Sequence, residues 1–137
     1  MELTKSYLKD LTYKVTGAAI EVHKRLGPGL LESIYHKCLA KELELRKISF
    51  KSEHKIPYNY KGFDLDIDLR CDFLIENLLV VELKSIESIL PIHEAQLLTY
   101  MKILDIPKGL MINFNVESLY YEGQKTYVNE LFRQLED

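Results

Sequence analysis

Apolar residues repeat at helical spacing near the start of the chain. Leu11, Val15, Ala18, Ala19, Val22 and Leu26 fall on one stripe, which predicts a helix over residues 8–26. Gly27-Pro28-Gly29 then stops it and turns the chain. A second helix is predicted over 30–46, with Leu31, Ile34, Tyr35, Cys38, Leu39 and Leu45 as its apolar arc. Glu32 sits at the edge of that arc in the first turn, where free backbone N–H groups favour a carboxylate. Glu42 falls near the middle of the arc, and the pattern does not account for it.

From Phe50 onward the period changes to two. Ile56, Tyr58 and Tyr60 alternate with polar neighbours, Pro57 argues for an edge or a bulge, and Lys61-Gly62 is a turn. Residues 63–73 alternate strictly and predict one long strand. Its core face would carry Phe63, Leu65, Ile67, Leu69, Cys71 and Phe73, and its other face Asp64, Asp66, Asp68, Arg70 and Asp72. Residues 78–84 form the next strand, with Val81 and Leu83 expected on the buried side beside Cys71 and Phe73. A one-residue slip would expose that whole apolar row, so opposed residues must have numbers with an even sum. A three-residue loop at Glu76-Asn77-Leu78 would set Asp72 opposite Glu82 and Arg70 opposite Lys84. A two-residue turn would break the match unless a bulge restored it, so the odd loop or a bulge is expected.

Another helix is predicted over 91–104, with Pro91 in its first turn. Residues 109–114 read as a strand covered on both faces. A short strand is expected around Leu119-Tyr120-Tyr121, extended chain or a strand at 126–128, and a last helical turn near 131–135. The order of elements predicts an α/β fold with a mixed sheet, and the length suits a single domain over 1–137.

Composition narrows the function classes. An apolar fraction of 47% and a charged fraction of 28% suit an ordinary soluble domain. No segment is long and apolar enough to span a bilayer, and the first residues lead into no apolar signal region, so no membrane partner is expected. Cys38 and Cys71 form neither a disulfide framework nor a zinc spacing, which suggests a reduced, cytoplasmic protein. A net charge of -3 argues against a protein that coats nucleic acid. It is compatible with a metal-dependent nuclease, whose carboxylates hold cations that face the phosphate.

The candidate chemistry centres on Asp72 and Glu82-Leu83-Lys84. Two carboxylates on facing strands suit Mg²⁺ or Mn²⁺, since Mg²⁺ commonly takes one or two protein carboxylates, several waters and phosphate oxygens. The Leu83 backbone carbonyl is a candidate third oxygen ligand. Lys84 shares the face of Glu82 and suits orientation of an attacking water or stabilisation of developing negative charge. His93, Gln96 and Tyr100 share one helix face beside the apolar stripe, suited to contacts with metal ligands or phosphate. Arg70 joins Gln96 and Tyr100 as a candidate substrate contact, and Glu32 is a candidate metal-side carboxylate. Each feature has an ordinary counterpart. Exposed charges pair across sheets at little energetic value, and a glutamate at a helix start suits the helix dipole.

Taken together, these motifs resemble the PD-(D/E)xK nuclease superfamily. Cys71-Asp72 followed by Glu82-Leu83-Lys84 matches its signature, with Cys71 at a position often held by proline. Gln96-x-x-x-Tyr100 is similar to the additional motif of the RecB-like branch. Gly29-Leu30-Leu31-Glu32-Ser33-Ile34-Tyr35 resembles the motif of the GxxExxY protein family, as do residues 93–100 and 110–114. The resemblance implies a restriction-endonuclease-like core: a helix, a three-stranded antiparallel meander, a helix and a further strand. It implies metal binding by Asp72 and Glu82, support from Lys84, a metal-side role for Glu32 and substrate-side roles for Gln96 and Tyr100. The expected function is metal-dependent phosphodiester hydrolysis on DNA, with a homodimer or protein partner also compatible. Two alternatives remain: a catalytically weak or inactive binding module on the nuclease fold, and a hydrolase of small phosphate esters.

Overall fold

A computed structural model describes residues 2–137. Helix α1 (Lys5–Leu26) starts behind Thr4, whose Oγ1 accepts the Tyr7 N–H at 3.1 Å. It ends at Gly27, where φ is 72°, a conformation that suits glycine. Helix α2 (Glu32–Leu45) buries Tyr35, Leu39 and Leu43. Leu31, Ile34 and Leu45, expected on its buried arc, are exposed. Glu42 is half-buried and pairs with Arg46 at 2.8 Å, which accounts for an acidic residue there.

Five strands form the main sheet: β1 (Phe50–Lys55), β4 (Arg70–Ile75), β5 (Leu79–Lys84), β6 (Lys108–Asn113) and β7 (Gln124–Val128), in the order β1-β4-β5-β6-β7. All neighbours are antiparallel except β5 and β6, which are parallel and joined through helix α3 (Pro91–Leu104). The fold is therefore α/β, a mixed sheet flanked by helices. Helices α1 and α2 cover one face, where Val15, Leu39, Phe73, Val81, Leu83 and Ile112 share a core cluster. Helix α3 covers the other, over Leu74, Val80 and Met111. At Gly109 an added Cβ would lie 2.7 Å from Met101 Sδ, so glycine permits the close seat of β6 on α3.

The β4–β5 connection is the expected three-residue loop at 76–78. Phe73 faces Val81, Leu74 faces Val80 and Ile75 faces Leu79, so each pair has the predicted sum. Strand β6 is buried along its whole length.

Four further expectations fail. The long strand over 63–73 breaks into β3 (Phe63–Leu65), an irregular segment and β4. Strand β3 pairs only with β2 (Tyr58–Tyr60), leaving Phe63 66% and Ile67 39% exposed. Alternation there reflects polarity without a covering layer. The second failure is Cys71, which packs on the α3 side with Leu74 and Val80 instead of beside Phe73 and Leu83. Both ladders are interrupted at Asp72, and Glu53, across from it on β1, has φ 48°. This local irregularity shifts the parity of β4. Third, Arg70 pairs with Lys55, and the β4–β5 ladder ends before an Arg70–Lys84 pair can form. Finally, Leu119–Glu122 is a short helix, α4, not a strand. Ser118 Oγ accepts the Tyr121 N–H, and Leu119 is buried in the α1-side core. A last short helix, α5 (Glu130–Arg133), matches the expected final turn.

Candidate active site

Strands β4 and β5 part company at the point where the carboxylates stand. Where the next rung of the ladder would form, Asp72 Oδ2 instead accepts the Leu83 N–H at 2.7 Å. Lys84 O accepts Phe114 N–H on the opposite edge of β5, so successive residues of β5 face opposite neighbours. A residue's carbonyl shares the edge of its N–H in an extended strand. The Leu83 carbonyl therefore faces the gap beside Asp72.

Glu82 is 5% exposed, and its Oε1 is buried without a hydrogen-bond partner. Desolvation, followed by the hydrogen bond to Asp72 and that group's charge, pushes its pKa up to about 10. Asp72 moves the other way. Burial alone would raise it, but contacts with His36, the Glu82 carboxyl and the Leu83 N–H hold it below its ordinary range. The two carboxyls thus divide one proton: Glu82 keeps it and Asp72 is ionised. Glu32, at the first turn of α2, is pushed up by desolvation and by Asp72, and is drawn back by Lys84 and His36. Lys84 is half-buried and, among the described residues, makes no ion pair within 4 Å.

The approach of α2 is built by its preceding loop. Tyr35 is fully buried, stacks on Phe114 at 4.4 Å, donates its hydroxyl to Gly27 O at 2.5 Å and accepts the Leu30 N–H at 3.1 Å. Ser85 Oγ donates to Leu30 O at 2.6 Å, so the loop is tied to the chain just after Lys84. These bonds bring Glu32 to the carboxylate pair.

A family model of the PD-(D/E)XK nuclease superfamily matches residues 9–126. The chain belongs to this superfamily. Neither the curated proteins nor the solved structures compared with it gave a match.

In this PD-(D/E)XK protein, the remaining candidates divide. Tyr100 is buried on α3 in the core cluster that holds Cys71 and Val80, and its pKa is raised by desolvation and then by the charge of Glu82. Gln96, one turn earlier, is exposed. His93 Nδ1 accepts the Leu90 N–H at 3.0 Å, so this side chain caps the start of its own helix. Arg70 is exposed and paired with Asp68 at 2.7 Å.

Two residues that sequence reasoning missed contribute directly. His36 Nδ1 lies 3.6 Å from Asp72 Oδ1, its Nε2 is 2.7 Å from Ser52 Oγ, and its ring stacks on Phe73 at 4.3 Å. Its position four residues after Glu32, on the same helix face, is the signal that could have found it. Asn113 is buried beside Lys84 on β6. It donates to Ile86 O at 2.9 Å and accepts the Ile86 and Asn115 N–H groups at 3.2 Å, fixing the chain that leaves β5.

Among the described residues, no three His, Cys, Asp or Glu side chains already converge in a metal-holding cluster. The donor set nevertheless fits a hard divalent cation. It offers an ionised Asp72, a buried Glu82 oxygen lacking a partner and a backbone carbonyl in the same gap. Mg²⁺ needs no more than one or two carboxylates when water and phosphate complete its shell.

Proposed function

We propose that this protein is a Mg²⁺- or Mn²⁺-dependent phosphodiester hydrolase acting on DNA. The observation that carries the reading is Glu82: a carboxyl buried against an ionised Asp72, with a partnerless oxygen, and a lysine two residues on that makes no ion pair among the described residues. Such an arrangement is costly for a protein that needs only stability, because burying a polar atom without a partner is unfavourable. A cation would satisfy it. Asp72, Glu82 and the Leu83 carbonyl are the proposed ligands, with Glu32 on the metal side. When bound, the metal would polarise a phosphoryl oxygen and lower the pKa of a coordinated water.

The chain's own groups do the rest. Asp72 is already ionised, and Glu82 would release its proton to solvent on taking a metal as ligand. The Lys84 ammonium steadies the negative charge that builds on the phosphoryl oxygens. Tyr100 presents its hydroxyl from α3, and Gln96 extends that face toward solvent and the substrate backbone. The order of Gly29, Glu32, Tyr35, Gln96 and Tyr100 supports placement in the GxxExxY group. Tyr35 there serves to brace the loop that delivers Glu32.

A second reading is a nuclease-fold binding module that does not cut alone. It is favoured by the absence of a converged three-ligand cluster among the described residues. Cleavage assays on linear, nicked and branched DNA with either metal separate the two. The hydrolase reading expects metal-dependent cleavage that Glu82→Gln and Lys84→Ala each reduce by roughly a hundredfold or more. Equal cleavage by both variants, or metal binding without any cleavage, overturns it.

A further inference from the structure

We infer that Ser52 is a positioning residue: by donating to the His36 ring it fixes which nitrogen faces Asp72, and so holds Asp72 in the orientation that takes a metal. This rests on the hydrolase reading for the role of Asp72 and deepens it by adding a residue from β1.

The contacts run in a chain across three elements. Ser52 Oγ on β1 lies 2.7 Å from His36 Nε2 on α2. His36 Nδ1 lies 3.6 Å from Asp72 Oδ1 on β4. Asp72 Oδ2 accepts the Leu83 N–H at 2.7 Å, so the carboxylate is held at both oxygens. The ring has little freedom. It stacks on Phe73 at 4.3 Å, and Phe50 packs edge-on against Phe73 at 5.5 Å. Ser52 stands opposite Phe73 in the β1–β4 register, so both side chains leave the same face of the sheet, toward α2. Ser52, Asp72 and Glu32 line one cleft of about 470 Å³ between α2 and β1.

The chemistry of the ring sets what Ser52 must do. A neutral imidazole has one N–H and one bare nitrogen. Asp72 is ionised and can only accept. A separation of 3.6 Å is longer than a hydrogen bond, so this contact is electrostatic. It attracts when Nδ1 carries the proton and repels when Nδ1 presents its lone pair. With the proton on Nδ1, Nε2 is an acceptor, and the Ser52 hydroxyl can donate to it. The hydrogen bond at one ring nitrogen decides where the proton sits.

Ser52 is exposed, and one hydrogen bond there adds little to stability. Its contribution is a defined tautomer. Alanine would leave Nε2 to water in the cleft, which donates or accepts equally well. Asp72 Oδ1 would then face a lone pair part of the time. Partners that orient a metal-binding side chain are worth roughly 10- to 100-fold in metal affinity. Ser52 acts one step removed, so the lower end is expected.

Long-range ¹⁵N–¹H correlation NMR reads the tautomer on metal-free protein in EDTA, at about pH 9 so that imidazoles are neutral. His36→Gln assigns the signal among the four histidines. Wild type should carry the His36 proton on Nδ1. Ser52→Ala should shift it toward Nε2, and Ser52→Thr, which keeps a hydroxyl, should hold it on Nδ1. Mn²⁺ titration followed by electron paramagnetic resonance should show binding weakened roughly tenfold in Ser52→Ala and unchanged in Ser52→Thr. The inference is overturned if wild type holds the proton on Nε2, if Ser52→Ala keeps the wild-type tautomer, or if it binds Mn²⁺ as wild type does. A threonine variant that behaves like alanine also overturns it, because the hydroxyl would not be the cause. A Ser52-dependent tautomer in a protein that takes up no Mn²⁺ would defeat the hydrolase reading and leave the tautomer assignment standing. Mn²⁺ bound equally by wild type and Ser52→Ala would do the reverse.

Discussion

Replacing Glu82 with glutamine should make the metal-free protein more stable at neutral pH. Unfolded, Glu82 ionises near 4.5; folded, desolvation and the neighbouring Asp72 move its pKa to about 10. Folding in that window takes up a proton. The stability contributed by the protonated side chain is complete below pH 4.5 and is lost as pH rises toward about 10. Each pH unit corresponds to about 1.4 kcal/mol, so about 3 kcal/mol disappears between pH 4.5 and 7. The amide of Glu82→Gln keeps the volume and cannot ionise. Asp72 acts in the opposite sense, because its lowered pKa contributes stability at neutral pH that is lost on acidification. Measurements from about pH 5 to 8 keep this effect small. Urea unfolding in EDTA should show wild type losing about 1.4 kcal/mol per pH unit relative to the variant. Parallel stability curves for the two proteins would refute the buried, proton-holding Glu82. A gain in stability with a loss of cleavage is the trade expected of a site built for a cation.

Other perturbations test the frame of the site. Tyr35→Phe removes the hydroxyl that joins Gly27 and Leu30; it should cost about 1–3 kcal/mol in urea unfolding, and an unchanged midpoint would refute the bracing role. Asn113→Ala strips two hydrogen bonds to Ile86, in the chain after β5, and one to Asn115. It should cost about 2–3 kcal/mol and slow amide exchange protection should be lost at Ile86; full protection there would count against it. His36→Ala removes a contact that keeps Asp72 low. The Asp72 carboxyl signal in an NMR titration should then shift to higher pH, and a stationary titration would remove His36 from the site.

Much of the frame was legible because it is local or periodic. Helix α3 begins at Pro91 as expected, and β6, buried throughout, is covered on both faces. The even-sum rule and the need to bury Val81 correctly favoured the loop at Glu76-Asn77-Leu78. Asp72 and Glu82 therefore meet, although through a side-chain bond to Leu83 in place of a regular rung. What escaped depends on partners distant in sequence. The alternation over residues 63–73 carried no information on whether a layer would cover it. The face of Cys71 turns on an irregularity shared with Glu53 of another strand. Leu119 is one apolar residue whose packing against α1 outweighs the strand tendency of the two tyrosines. His36 and Asn113 look like unremarkable polar residues until folding brings them to Asp72 and Ile86.

The central claim is that Asp72 and Glu82 exchange a proton for a divalent cation. A crystal soaked in Mn²⁺ near neutral pH, with anomalous diffraction, tests it most directly. The account predicts an anomalous peak bound by both carboxylates and absent from Glu82→Gln crystals. A metal-saturated crystal with its peaks elsewhere, and the two carboxyls still in contact, would contradict it.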